Sequence, residues 1–232
     1  MAQRVIRGLR GAAKSVGIHQ KSRPIGYFSR IIKRNYMSEM EKSTFEGKIL
    51  RLIRYEIQYE LDRSPPFPPI PEFDAFKVEE KPGEQWIRLS RKFGAAEEIK
   101  IEVTMFDGSL PIKKDGDDAE DGVQLHITLI VEIFKEENKD VMQFVCSAWP
   151  DSIEIRKVFI RRCDQIKDRP YTGPRFKELD DELQDSLYDF LEARGIDDDL
   201  AVFLHQYITN KDKMEYIRWL EKVKSFVHSS RN

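Results

Sequence analysis

The sequence predicts an α+β fold in which one antiparallel sheet lies between helices drawn from the two ends of the chain. Three observations carry this. Apolar residues recur at the helical period from Ser38 to Leu61 and again after Pro174, whereas between these stretches they alternate with polar residues. The alternating segments are joined by connections too short for crossover helices, which favours a meander. Helices and strands kept apart along one chain are the mark of an α+β domain, and 232 residues with 40% hydrophobic content suffice for a core.

The first helix is predicted over 38–63. Phe45, Ile49, Leu52, Ile53, Ile57 and Leu61 follow its period, and Ser64-Pro65-Pro66 stops it. Residues 64–71 hold five prolines around Phe67 and Ile70 and suit an extended connector to the sheet rather than an SH3-type ligand. Strands fill 73–163. The clear ones run through Ile99, Ile101, Val103 and Met105 and through Val123, Leu125, Ile127, Leu129, Val131 and Ile133. Weaker signals lie at 76–79, 86–93, 141–149 and 152–161. In the last of these the alternation of Ile153 and Ile155 slips to Val158 and Ile160, which fits a bulge. The helical period returns over 175–228. Phe176, Leu179, Leu183, Leu187, Phe190 and Leu191 form one stripe ended by Gly195, and Asp197 to Asp199 cap a second stripe from Leu200 to Ile208. Asp212-Lys213-Met214-Glu215 reads as a capping box opening a third helix through Tyr216, Trp219, Leu220, Val223 and Phe226. Two or three C-terminal helices follow, and the stripes of the first and last helices need partners, which either oligomerisation or packing within one subunit supplies.

Charge divides the chain. Nine basic residues, Arg4 to Arg34, precede the first acid, Glu39. With several serines and a basic amphipathic face, residues 1–36 have the composition of a mitochondrial transit peptide, and Arg34-Asn35-Tyr36 resembles a processing site, so cleavage is expected between Tyr36 and Met37. Setting the nine aside leaves 30 Lys and Arg against 41 Asp and Glu, a net charge of about −11 on 37–232. A polyanion of this kind attracts Lys/Arg-rich partners in a salt-dependent way. The expected acidic surface centres on Asp115, Asp117, Asp118, Glu120 and Asp121, whose spacing departs from a calcium loop because Ala119 replaces a ligand.

Motifs for chemistry are missing. No nucleophile elbow, zinc-protease helix, Cys-x-x-Cys pair or phosphate-binding glycine loop occurs, so no catalytic residue, cofactor or metal is expected. His126 reads as a solvated strand residue and His205 as a packed helix residue. Cys146 and Cys163 read as idle thiols. Direct nucleic-acid binding is opposed by the charge, the one basic patch being Arg156, Lys157, Arg161 and Arg162. No apolar run is long enough to span a membrane.

The run Leu187-Tyr188-Asp189-Phe190-Leu191-Glu192-Ala193-Arg194-Gly195-Ile196, followed by Leu200 to His205 and Lys211 to Leu220, resembles the signature of the mitochondrial acidic matrix protein family, also called the mitochondrial glycoprotein family, to which the complement globular-head-binding protein of animals belongs. Pro82-Gly83-Glu84-Gln85, Ile101 to Phe106 and Ala148-Trp149-Pro150-Asp151 extend the match, and it covers essentially all of 45–228. The resemblance implies a ring-shaped homotrimer whose subunit is a twisted seven-stranded antiparallel sheet flanked by one N-terminal and two or three C-terminal helices. It implies a matrix location and a non-enzymatic role as multi-ligand adaptor or chaperone-like binder of basic proteins, supporting mitochondrial translation or oxidative phosphorylation. The alternative is an RNA- or ribosome-associated factor in mitochondrial gene expression. Oligomer and helix packing would fall on Phe45, Ile49, Leu52, Tyr216, Trp219, Leu220, Val223 and Phe226.

Overall fold

The computed structural model describes residues 27–112, 122–136, 140–162 and 171–229. The chain divides into two compact units, Met1–Lys48 and Ile49–Asn232. In the first unit the described residues form the N-terminal part of helix α1, Tyr27–Arg63, with Met40 and Phe45 exposed. The expected junction at Tyr36 and Met37 falls inside this helix, and most of the basic leader lies outside the described residues.

The second unit holds the rest of α1, a seven-stranded sheet and two further helices. The strands are β1 (Glu72–Phe73), β2 (Phe76–Glu80), β3 (Trp86–Phe93), β4 (Glu97–Ile112), β5 (Gly122–Lys135), β6 (Asp140–Trp149) and β7 (Ser152–Arg162). They pair in chain order, every pair antiparallel, so the predicted meander is what forms. The two-residue β1 was not legible, since so short a segment shows no alternation; it is added by pairing Phe73 with Phe76. The slip predicted in the last strand is a bulge. Register passes from Val145–Lys157 to Cys146–Ile155 and leaves Arg156 as the extra residue.

One face of the sheet is the core. Ile87, Leu89, Ile99, Ile101, Val103, Ile127, Leu129, Val131 and Ile133 are at most 2% exposed, and they pack with Leu191, Leu200, Leu204 and Ile208 of the C-terminal helices. The other face carries charge in cross-strand pairs, Arg88 meeting its register partner Glu102 at 2.7 Å. Alternation predicted Val123 and Leu125 inward as well. Val123 is instead exposed and Leu125 only half-buried, because they pair with Pro111 and Ser109 in a part of the β4–β5 hairpin that lies beyond two register shifts at Phe106 and Gly108.

Helix α2 is Asp181–Glu192 and α3 is Asp198–Ser229. The predicted stripe beginning at Phe176 is split: Phe176–Glu178 form one 3-10 turn, and Asp180 caps α2 by accepting from the Glu182 amide at 3.1 Å. Gly195 ends the helix region at φ 75°, a backbone that L side chains rarely adopt. The expected third helix is corrected. No glycine or proline interrupts Asp198–Ser229, and Glu215 turns outward to accept the Gly83 amide at 3.0 Å instead of capping its own helix, so the second and third stripes lie on one continuous α3.

Candidate functional site

The acidic loop Asp115, Asp117, Asp118, Glu120 and Asp121 lies outside the described residues, as does Cys163. Within them, acidic groups gather at the α2–α3 turn around a cleft of about 370 Å³. Gly195 reverses the chain there, and α3 starts at once. Ile153, Leu191 and Ile196 supply an apolar floor, while Glu192, Asp197, Asp198 and Asp199 stand around it. Two of these carboxylates also serve the fold. Asp197 accepts the Leu200 amide at 3.0 Å, and Asp198 accepts the Ile153 amide of β7 at 3.1 Å, tying the start of α3 to the sheet. Each still has an oxygen to offer, and Glu192 and Asp199 are exposed. Such a cleft suits the aliphatic stem and charged head of a lysine or arginine side chain. Local residue order marks these aspartates as caps, whereas their meeting with the β7 residue Ile153 is a tertiary fact.

The expected packing residues divide by exposure. Leu220 is buried and Ile49, Tyr216 and Val223 are half-buried, but Phe45, Leu52, Trp219 and Phe226 are 65%, 54%, 56% and 78% exposed. Tyr216 stacks on Trp219 with centroids 6.0 Å apart and donates to Glu56 of α1 at 3.3 Å. The buried line of α1 in this unit is Leu50, Ile53 and Glu60, narrower than the stripe predicted from the sequence.

His126 and His205 are both packed, which corrects the solvated reading of His126, while His228 is exposed near the end of α3. The double register shift in β4 turns Asp107 toward β5, where its Oδ1 lies 2.6 Å from His126 Nδ1, and Trp149 meets the imidazole edge-on at 4.9 Å. Gly108 makes room, since a Cβ there would stand 3.3 Å from the His126 ring. Burial would raise the Asp107 carboxyl, but hydrogen bonds from Thr128, His126 and Thr104 outweigh it and hold the group below its ordinary value. His205 bonds the Ala148 carbonyl through Nε2 at 3.1 Å, and burial depresses its pKa. Cys146 is a free, buried thiol pushed up to about 12 by burial, which leaves almost no thiolate at neutral pH. Among the described residues no three His, Cys, Asp or Glu side chains are grouped to hold a metal ion, and no helix is long and apolar enough to cross a membrane.

The candidate basic patch is largely neutralised. Arg156 meets Glu154 at 3.0 Å, Arg161 pairs with Glu132, and Arg162 lies 3.9 Å from Asp140.

The longest segments of the predicted signature prove to be joints. Arg194 forks onto Glu97 of β4 at 2.9 and 3.2 Å while its guanidinium lies 3.5 Å from the Phe190 ring centroid. Lys211, with no exposed side-chain surface, sits 3.6 Å from Glu80, 3.4 Å from Glu215 and 3.3 Å from the Lys81 carbonyl, locking the β2–β3 turn to α3.

The comparisons with known proteins follow this architecture. The family model described as "Mitochondrial glycoprotein" matches residues 53–227. An uncharacterized mitochondrial protein of Arabidopsis thaliana is 32% identical over 202 residues, 83% of this chain and 79% of its own length. The mitochondrial acidic protein mam33 of Schizosaccharomyces pombe is 26% identical over 216 residues, covering 78% of each chain. Among solved structures, the Trypanosoma brucei p22 protein superposes with a TM-score of 0.64 at 25% identity, over 79% of this chain and 99% of that one. A Leishmania major protein described as a sequence homologue of human p32 superposes at 0.61 with 22% identity, over 78% and 98%, a likeness of fold. A family match across the sheet and both C-terminal helices, with a relative 32% identical over most of both chains, establishes that the chain belongs to the mitochondrial glycoprotein family.

Proposed function

We propose that this protein is a non-catalytic acidic adaptor of the mitochondrial matrix, a homotrimer that binds Lys/Arg-rich proteins and keeps them available for mitochondrial translation or respiratory assembly. The observation that carries the reading is the separation of charge: nine basic residues precede Glu39, and the chain after Tyr36 holds about eleven more acids than bases. Residues 1–36 act as the import leader and are removed at Tyr36–Met37. Relatives with mitochondrial names support the destination. The acidic loop at 115–121 and the cleft at the α2–α3 turn attract basic segments through a field that raises association rates and fades with salt. Binding fits better than catalysis, because His126, His205 and Cys146 are spent on packing and hydrogen bonds. RNA binding is the weaker alternative, since three of the four residues of the basic patch are held by carboxylates.

The test is capture of poly-lysine and of a neutral control polymer by residues 37–232 across a salt series. Poly-lysine retention that falls steeply between roughly 50 mM and 500 mM salt supports the reading, because screening shortens the reach of surface charge to a few ångströms. Equal retention of both polymers, or salt-independent retention, refutes it.

A further inference from the structure

Residues 64–71 read Ser-Pro-Pro-Phe-Pro-Pro-Ile-Pro, and each is either a proline or the residue before one. Proline fixes φ near −65°, and its ring drives the preceding residue out of the helical region. The whole run is therefore confined to extended, polyproline-like backbone before any tertiary contact is made. A linker of this kind needs no further restraint to span from α1 to β1.

The structure nevertheless restrains it at three points. The Ser64 carbonyl accepts from Lys213 Nζ. The Phe67 amide donates to Asn210 Oδ1 at 3.0 Å, and its carbonyl accepts from Asn210 Nδ2 at 2.9 Å, so one side chain grips both backbone groups. The Pro71 carbonyl accepts from the Val78 amide at 2.7 Å. Asn210 and Lys213, three residues apart on α3, are 7% and 8% exposed, so the clamp is built from buried polar groups. Three residues cover about 9 Å of polyproline backbone but only about 4.5 Å of helix. A short Asn at one point and a long Lys at the next absorb that mismatch.

The clamp holds the backbone from one side and leaves the side chains in solvent. Pro65, Pro68, Pro69 and Pro71 are exposed, and so are Phe67 at 45% and Ile70 at 41%. Phe67 and Ile70 are three residues apart, one polyproline turn, so they project from the same edge. Single exposed apolar residues are ordinary. A run of six on a rigid, clamped strand presents a ligand whose ordering cost has already been met.

We propose that residues 64–71 are a preformed docking strand for a protein partner whose groove is lined with aromatic side chains that stack on proline rings, with Phe67 and Ile70 entering its side pockets. The inference is independent of the acidic surface. It replaces the plain-connector reading of the sequence, because composition shows an extended run but not that α3 clamps it with its apolar edge outward.

The experiment is calorimetric titration of the full chain with three isolated domains of the polyproline-reading kind, an SH3, a WW and an EVH1 domain, each also titrated with a synthetic peptide of residues 63–72. At least one domain binds the full chain, and binds it more tightly than the free peptide. Phe67→Ala combined with Ile70→Ala, both at exposed positions, lowers that affinity at least roughly tenfold with an unchanged circular-dichroism spectrum. Asn210→Ala brings the affinity of the chain down toward that of the peptide. Failure of all three domains to bind the chain, tighter binding of the peptide than of the chain, or indifference to the double substitution would each overturn the proposal.

Discussion

At the scale of single residues, the polar side chains with the strongest sequence signals carry tertiary duties rather than chemistry. His205 is the clearest case. Its Nε2 bonds the Ala148 carbonyl beside Phe106, and burial keeps its pKa below the ordinary 6.5. The unfolded chain therefore binds a proton at His205 more readily than the folded one. Its contribution is intact above the unfolded value and is lost as pH falls through the folded value. His205→Gln, which can keep a bond to Ala148, is expected to flatten the drop in urea midpoint between about pH 7 and about pH 5. An unchanged slope in the variant would show that His205 does not set it. His126 teaches a related lesson. Its outward place on the strand was legible, but its burial against Trp149 depends on a double register shift in β4 that brings Asp107 and Gly108 alongside. Register shifts leave little trace in a periodic pattern, which is why a solvated residue was expected.

At the scale of elements, the sheet is the most legible part and α3 the least. Alternation places the stretch of β5 from Ile127 to Ile133 well because each inward position there gains a fully buried side chain. Over Lys211 to Glu215 the local capping signal competes with helix continuation, and the tertiary partners decide the outcome. Glu215 bonds Gly83, and Lys211 is enclosed by Glu80 and Glu215. A buried lysine between two carboxylates is stable only with both. Lys211→Met leaves Glu80 in a low-dielectric site without its cation, while Glu215 keeps Arg218, and is expected to cost about 3–5 kcal/mol in chemical denaturation. A loss under about 1 kcal/mol would mean that water reaches Glu80 and Glu215. The clamp on residues 64–71 belongs to this scale too. Asn210 and Lys213 belong to the same helical run as Lys211, so one stretch of α3 fastens both the proline strand and the β2–β3 turn. The family signature thus marks joints between distant segments, which explains why its residues suggest no chemistry when taken in isolation.

At the scale of the molecule, the proposed acidic surface of residues 37–232 stands beside helix faces that carry exposed apolar side chains. Phe45, Leu52, Trp219 and Phe226 are each more than half exposed, and aromatic side chains of this size are the ones that anchor protein interfaces. The proposed homotrimer uses these faces. Multi-angle light scattering of residues 37–232 is expected to give three subunit masses, with Trp219→Ala and Phe226→Ala together shifting the population toward monomer. A monomer at micromolar concentration in the unsubstituted protein would end the trimer proposal. Self-association of residues 37–232, which hold about eleven excess acids, also has a sign. Added salt screens the repulsion between like-charged subunits, so the trimer is expected to tighten as ionic strength rises while capture of basic partners weakens.

The sequence alone determined the succession of helix, sheet and C-terminal helices, the antiparallel meander, the bulge in β7, the charge division at Glu39 and the family, because each is written in periodicity, composition or local residue order. It determined the extended form of residues 64–71 as well, since proline acts on its own and its neighbour's backbone. Only the tertiary structure decided that α3 is one helix, that His126 is packed against Trp149, that the signature residues Arg194 and Lys211 are buried joints, and that the proline strand faces outward. Each of these rests on partners about twenty residues away or more, and a partner's identity enters a local pattern only after the chain has folded.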